Sequence, residues 1–224
     1  MLLKDNLLKI LKKIENGNNL GEKITLVGAT KTMPTTIINE AIENGLKVVA
    51  ENKVQEFNQK HQFIVGAEQH FIGHLQTNKV KYLVGNVSLF HSVDSLHLAQ
   101  EISKISAKKG LITNILVEVN IGGELSKSGI SPENVFDEVE SIKALPNLCV
   151  KGLMAMLPKT DDNALKKNLC LQMREIFDKI KEYDKEFTYL SVGMTADYEI
   201  AIENGSNMIR IGSLIFGERK NGDL

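Results

Sequence analysis

A strand-length apolar run followed by a helix-period segment recurs eight times along this chain, and that alternation constrains its fold more than any other feature. Strand candidates fall at 24–29, 47–50, 70–73, 88–93, 112–120, 148–155, 187–192 and 207–211. The longest helical pattern covers about 163–183, with Leu165, Leu169, Met173, Ile176, Phe177 and Ile180 on one face. Pro34 sits near the start of a helix carrying Ile37, Ile38, Ala41 and Ile42, while Gly45, Gly110 and Gly205 end helices before strands. An extra helix with Leu3, Leu7, Ile10, Leu11 and Ile14 on one face precedes the first strand. Such alternation implies a parallel sheet with right-handed crossovers. Eight units in 224 residues predict an α/β fold, a single (β/α)8 TIM-type barrel domain spanning 1–224 with an extra N-terminal helix. An open doubly wound sheet is the competing architecture, but the G-x-G-x-x-G fingerprint expected after its first strand is missing.

Composition narrows the function classes. Hydrophobic residues make up 42%, charged residues 25%, and the net charge is −1, the balance of an ordinary globular protein. A near-neutral chain offers no broad footprint for nucleic acid, although it leaves room for a local anion site. Cys149 and Cys170 are too few for a disulfide framework and lack metal-ligand spacing; both read as buried, inert thiols in a reducing cytosol. The opening Met1-Leu2-Leu3-Lys4-Asp5-Asn6 is interrupted by charge at once, and no uncharged apolar run approaches bilayer length. A cytoplasmic protein without metal, nucleic-acid or membrane partner is expected.

In a barrel, chemistry gathers where strands end. Lys31 follows strand one, Glu51 and Asn52 strand two, His74 strand three, Asp94 strand four, Asn120 strand five and Met154 to Met156 strand six. Ser191, Gly193 and Met194 close strand seven; Arg210, Gly212 and Ser213 close strand eight. A lysine at the mouth of a core strand is partly desolvated, which favours the neutral amine that attacks an aldehyde. By position alone the plainer reading, a snorkelling strand-end lysine, is favoured. The loops after strands seven and eight often form the phosphate site of such barrels. Glycine plus a helix N-terminus in Ser191-Val192-Gly193-Met194-Thr195-Ala196-Asp197, and glycine plus serine in Arg210-Ile211-Gly212-Ser213, suit a phosphate cradle. The same residues also serve as caps and turn formers. Taken with Lys31, these segments call for a ligand with both a phosphate and a carbonyl, and pyridoxal 5′-phosphate (PLP) supplies both.

Other candidates stay open at this level. Arg210 cannot deprotonate at ordinary pH, so a pyridine nitrogen facing it stays unprotonated and the ring is a weaker electron sink; an ion pair with Glu203 or Glu218 is the alternative. His74 could act as a base, but a lone histidine is more often structural. Asp161 and Asp162 look like helix caps, and Lys127 could meet a phosphate or be merely solvated.

Seven strings, in order, carry a resemblance across about 24–219. They are Ala29-Thr30-Lys31-Thr32, Glu51-Asn52 with Val54-Gln55-Glu56, and His70-Phe71-Ile72-Gly73-His74-Leu75-Gln76-Thr77-Asn78-Lys79. Next come Ser126-Lys127-Ser128-Gly129, Gly152-Leu153-Met154-Ala155-Met156 and Gly193-Met194-Thr195-Ala196-Asp197. The last is Ile209-Arg210-Ile211-Gly212-Ser213 through Phe216-Gly217-Glu218-Arg219. The chain resembles the PLP homeostasis protein family, whose members are similar to the barrel domain of alanine racemase. The resemblance implies a fold-type III barrel with PLP as an imine on Lys31 and Arg210 near the pyridine nitrogen. It also implies phosphate contacts from Ser191, Gly193, Met194, Gly212 and Ser213, with Asn52, His74 and Met154 around the ring. Implied too are a role as PLP carrier or regulator in vitamin B6 and amino-acid balance without established turnover, PLP-dependent recipient enzymes as partners, and a monomer.

Three positions depart from the family pattern: Ala50 where glycine is usual, Lys53 where tyrosine is frequent, and Met33 where a second lysine often stands. Ala50 and Lys53 are expected close to the ring, and Met33 puts a lysine-to-lysine hand-off in doubt. The alternative function is a PLP-dependent amino-acid racemase, which needs acid/base groups on both faces of the substrate carbon. With the chain ending at Leu224, no room is expected for a second domain carrying the racemase tyrosine, and Tyr82, Tyr183, Tyr189 and Tyr198 all fall away from strand C-termini. A third reading has another phosphate ligand and a purely electrostatic Lys31.

Overall fold

The computed structural model describes residues 2–124 and 127–217. The apolar runs become β1 (Thr25–Ala29), β2 (Val48–Glu51), β3 (Glu68–Phe71), β4 (Leu89–Val93), β5 (Thr113–Val119), β6 (Leu148–Ala155), β7 (Tyr189–Met194) and β8 (Met208–Ile211). Neighbours pair in parallel in chain order, and β1 also pairs with β8 through Thr25↔Met208 to Gly28↔Ile211, closing the barrel. An open sheet is thereby ruled out. The helices are α1 (Leu2–Ile14), α2 (Thr35–Glu43), α3 (Val54–Lys60), α4 (Leu96–Lys109), α5 (Val135–Lys143), α6 (Asn163–Lys181), α7 (Tyr198–Glu203) and α8 (Ser213–Phe216). After β3 the connection is a 3-10 helix, Thr77–Tyr82.

Local signals set the helix ends. Pro34 precedes α2, where its missing N–H costs nothing. Ser95 and Asp162 cap α4 and α6 by accepting from the amides of Leu98 and Leu165. Gly110 ends α4 in the left-handed conformation at φ 65°. On α6 the buried face is Lys166, Leu169, Cys170, Met173, Phe177 and Ile180, with Ile176 packed beside it; of the expected stripe only Leu165, in the first turn, is exposed. Cys170 is buried and burial pushes its thiol up to about 12; Cys149 is only half-buried, contrary to expectation.

Period-two alternation sorts the strand side chains. Leu26, Val49, Ile209 and Ile211 face outward onto α1, α2 and α8 residues. Val27, Val48, Ala50, Leu89, Leu116, Met154 and Met208 form a separate cluster inside the barrel. Toward the mouth the filling turns polar: Ser191, His91, Glu118 and Arg210 are all at most 5% exposed. No described helix is long and apolar enough to cross a membrane.

Opposite the mouth, Glu22 fastens the α1–β1 segment. Its carboxylate meets Arg174 Nη1 at 2.5 Å, Lys181 Nζ at 2.9 Å and Asn18 Nδ2 at 2.9 Å. Burial raises its proton affinity, but Arg174, Lys181 and Asn18 outweigh that and hold it at about 2. The folded pKa lies below the unfolded one, so the stabilisation is complete above about 4.5 and vanishes as pH falls toward 2. Glu22→Gln is expected to cost about 2 kcal/mol in urea unfolding at pH 7, and the gap to wild type should close below pH 3.

Candidate functional site

Closure of β1 on β8 brings the two ends of the chain to one place. A cavity of about 280 Å³ at the barrel mouth is lined by Ala29, Lys31 and Met33 from the first unit, Met194, Thr195 and Ala196 after β7, and Arg210, Gly212, Ser213, Phe216 and Gly217 from the last. Five expected site residues, Lys31, Met194, Arg210, Gly212 and Ser213, therefore share one cavity.

The backbone around Lys31 is clamped on both sides. Thr30 extends the β1–β2 pairing, its N–H donating to the Ala50 carbonyl at 2.9 Å and its hydroxyl to Glu51 Oε1 at 2.9 Å. Thr32 stands at φ 67°, a left-handed conformation that costs a threonine roughly 1–2 kcal/mol. Its N–H donates to Glu56 Oε2 at 2.8 Å, and Met33 N–H returns to the Thr30 carbonyl. Lys60 Nζ locks the carboxylates behind this turn, 2.8 Å from Glu51 and 2.9 Å from Glu56. Burial works to raise the Glu56 pKa, but Lys60 and the Thr32 amide hold it below the usual range; burial keeps Glu51 above that range despite Lys60. Strain concentrated beside one half-buried lysine marks a presented group.

Arg210 projects from β8 with 5% of its surface exposed. Its Nη1 donates to the Ser191 carbonyl at 2.7 Å and to Ser191 Oγ at 2.6 Å, and its Nη2 to the Ala155 carbonyl at 3.0 Å. Burial pulls the guanidinium down to about 10, so it remains a cation at neutral pH. Among the described residues it forms no ion pair; Glu203 is not its partner, and Glu218 lies outside the described residues.

Ser191 and Gly193, expected among the phosphate contacts, do not line the main cavity. β7 runs to Met194, two residues past the expected end, with an irregular register against β8 between Ser191 and Met194. Ser191 is thus one layer down, fully buried, its hydroxyl engaged by Arg210 and His91. Gly193, at φ 105°, is buried where a Cβ would meet Ala201 Cβ at 2.8 Å and Tyr198 Cα at 3.0 Å, so helix packing fixes this glycine. Met194 reaches the cavity, but its N–H is taken by Asp197 Oδ1 at 2.6 Å. Among the described residues the amides of Thr195, Ala196 and Ser213, all in the cavity wall, have no acceptor.

The three residues expected around the ring are dispersed. Met154 is sealed in the barrel interior. Asn52 is half-buried, and its buried Oδ1 has no partner among the described residues. His74 is exposed, with Nδ1 3.4 Å from Asp94 Oδ2, and it lines a second cavity of about 200 Å³ with Ile72, Ser92, Glu118, Lys127, Ser128 and Met156. Lys127 pairs with Glu124 there; its neighbour Ser126, like Glu218 and Arg219, lies outside the described residues. Of the three departures, Met33 lines the main cavity, whereas Ala50 lies inside the barrel and Lys53 is exposed. No group of described His, Cys, Asp and Glu residues is placed to hold a metal.

Glu118 was not singled out from sequence, yet its carboxyl is pushed up to about 7, first by burial and then by Asp94, against the pull of Arg210 and His74. A folded pKa above the unfolded one means stability is full below about 4.5 and is lost as pH rises through about 7. Glu118→Gln should therefore match wild type at pH 4 and exceed it by about 1–3 kcal/mol at pH 8. Urea midpoints at the two pH values check this; a larger gap at pH 4 than at pH 8 would contradict it.

A closed parallel barrel with a lysine after strand one, beside a strained Thr32, sharing one cavity with a buried strand-eight arginine defines the alanine racemase N-terminal class. Residues 23–220 match the family model described as "Alanine racemase, N-terminal domain". The chain is 43% identical over 215 residues to the pyridoxal phosphate homeostasis protein of Aquifex aeolicus, covering 95% of this chain and 93% of that protein. It belongs to the pyridoxal phosphate homeostasis protein family. PipY of Synechococcus elongatus PCC7942, solved with PLP bound, superposes with a TM-score of 0.84 at 25% identity, over 96% of this chain and 100% of PipY. An alanine racemase of Clostridium difficile shares the fold, with a TM-score of 0.76 at 17% identity; the match covers 100% of this chain and 58% of the racemase.

Proposed function

We propose that this protein holds PLP at Lys31 and acts as a carrier or regulator of PLP in vitamin B6 and amino-acid homeostasis, without enzymatic turnover. The observation that carries this reading is the single cavity joining Lys31 to Arg210, Gly212 and Ser213 from opposite ends of the chain. When bound, PLP supplies an aldehyde that condenses with a lysine amine with loss of water, a pyridine ring and a phosphate.

The residues fit such a group. The cavity lies near the lower limit of roughly 300 Å³ for small-molecule pockets. The amides of Thr195, Ala196 and Ser213, without an acceptor among the described residues, are donors for a phosphate, and Gly212 carries no side chain to crowd them. These take the place of direct contacts from Ser191 and Gly193. Of the five N–H donors of Arg210, three are held by Ser191 and Ala155. The remaining donors serve the cavity, and a group that only donates keeps a facing ring nitrogen unprotonated.

Support for a carrier over a racemase comes from the tyrosines. Tyr189 begins β7, at the end away from the mouth, and no tyrosine lines either cavity. The names of the relatives point the same way. A monomer in the cytoplasm, delivering to PLP-dependent recipient enzymes, completes the proposal. Purified protein mixed with PLP should turn yellow, and borohydride reduction followed by peptide mass mapping should place the adduct on Lys31. An adduct confined to another lysine would overturn the assignment, and steady L-to-D amino-acid conversion by pure protein would overturn the carrier reading.

A further inference from the structure

The barrel interior holds two histidines that the cofactor site does not use, His70 on β3 and His91 on β4. Both are sealed, at 3% and 0% exposure. His91 Nδ1 lies 3.3 Å from Ser191 Oγ, and His91 Nε2 lies 3.0 Å from His70 Nδ1. His70 Nε2 lies 3.4 Å from Glu68 Oε2, on a side chain 68% exposed. With Arg210 at one end, this is a continuous polar chain from the mouth through the barrel to solvent at the N-terminal end of β3.

Hydrogen-bond accounting fixes its direction. A guanidinium only donates. At the other end the ionised Glu68 carboxylate only accepts, so His70 carries its proton on Nε2 and its Nδ1 is left to accept from His91 Nε2. His91, with its proton on Nε2, has a bare Nδ1 that accepts from the Ser191 hydroxyl, whose oxygen accepts in turn from Arg210. Every donor points the same way, and bonds aligned head to tail polarise one another. Burial, joined for His91 by the charges of His70 and Arg210, lowers both histidine pKa values, in keeping with neutral rings.

We infer that His91, backed by His70 and Glu68, is a positioning residue for Arg210: it orients the Ser191 hydroxyl that holds Nη1, and so fixes which guanidinium donors face the cavity. The direction of the relay stands on the protein alone, while its effect on the ligand rests on the PLP reading above. A wild-type protein that takes up no PLP would sink that reading, and tautomers measured without PLP would still decide the relay.

The test has two parts. Long-range proton–nitrogen NMR of the PLP-free wild type should show both His70 and His91 neutral, with the proton on Nε2. A proton on Nδ1 of either ring would overturn the relay. In PLP titrations, His91→Phe should weaken binding roughly tenfold, the scale of one hydrogen bond to a charged group, and should move the visible absorption band. His91→Asn, whose side-chain oxygen can still accept from Ser191, should recover most of both. In a Ser191→Ala background the His91→Phe effect should largely disappear. Wild-type affinity and an unmoved band in folded His91→Phe, or an undiminished effect in the Ser191→Ala background, would show that His91 does not act through Ser191.

Discussion

Lys31→Ala is expected to abolish covalent capture of PLP while leaving the fold within about 1 kcal/mol of wild type. The turn that presents Lys31 is held by its neighbours: Thr30 is tied to Ala50 and Glu51, and Thr32 to Glu56 through its backbone N–H. Removing the lysine side chain leaves those bonds in place. The visible band of the PLP-treated protein should vanish, and borohydride should trap nothing at position 31. Ligand still held through its phosphate should bind at least about a hundredfold more weakly, close to 3 kcal/mol. An unchanged band in Lys31→Ala would remove Lys31 from the site. Unchanged affinity for PLP, with inorganic phosphate competing equally in both proteins, would favour a barrel that binds phosphate and uses Lys31 only electrostatically.

The elements were legible because parallel strands covered on both faces read as short apolar runs, and all eight fell within a few residues of their expected places. The chain ends of the site were legible for the same reason: Lys31 and Ser213 lie just beyond strands whose ends are sharp. β7 was different. Two further residues and an irregular pairing with β8 moved Ser191 from the rim into the interior, and an apolar pattern carries no trace of such a shift. Gly193 was recognised as special, but the cause, contact with Ala201 and Tyr198, lies in tertiary packing. His91 and Glu118 each interrupt an apolar run at an inward position, which was a readable signal, whereas His70 follows Glu68 and Gln69 and carries none. What they do depends on partners up to 100 positions away, as His91 and Ser191 are, and only the closed barrel supplies those.

Arg210→Ala should be the most damaging single change in the site, because the arginine serves the barrel before it serves a ligand. It is buried and satisfies the Ser191 and Ala155 carbonyls at once. Deleting it strands both acceptors, at about 1–3 kcal/mol each, and opens a void beneath the cavity. It also removes the cation that opposes protonation of Glu118, so that carboxyl should hold its proton through neutral pH. A loss of about 3–5 kcal/mol is expected, or a fall in Tm of roughly 10 °C or more for a chain of this size. Arg210→Lys is the sharper probe: it keeps the charge but cannot reproduce a planar fork aimed at Ser191 and Ala155 together. It should lose less stability than Arg210→Ala, yet still move the visible band of the PLP-loaded protein. That separates the two roles assigned to the residue. A band that stays put while affinity falls would leave Arg210 as a structural or phosphate-side cation, whereas a shifted band with modest stability loss places its donors against the ring nitrogen.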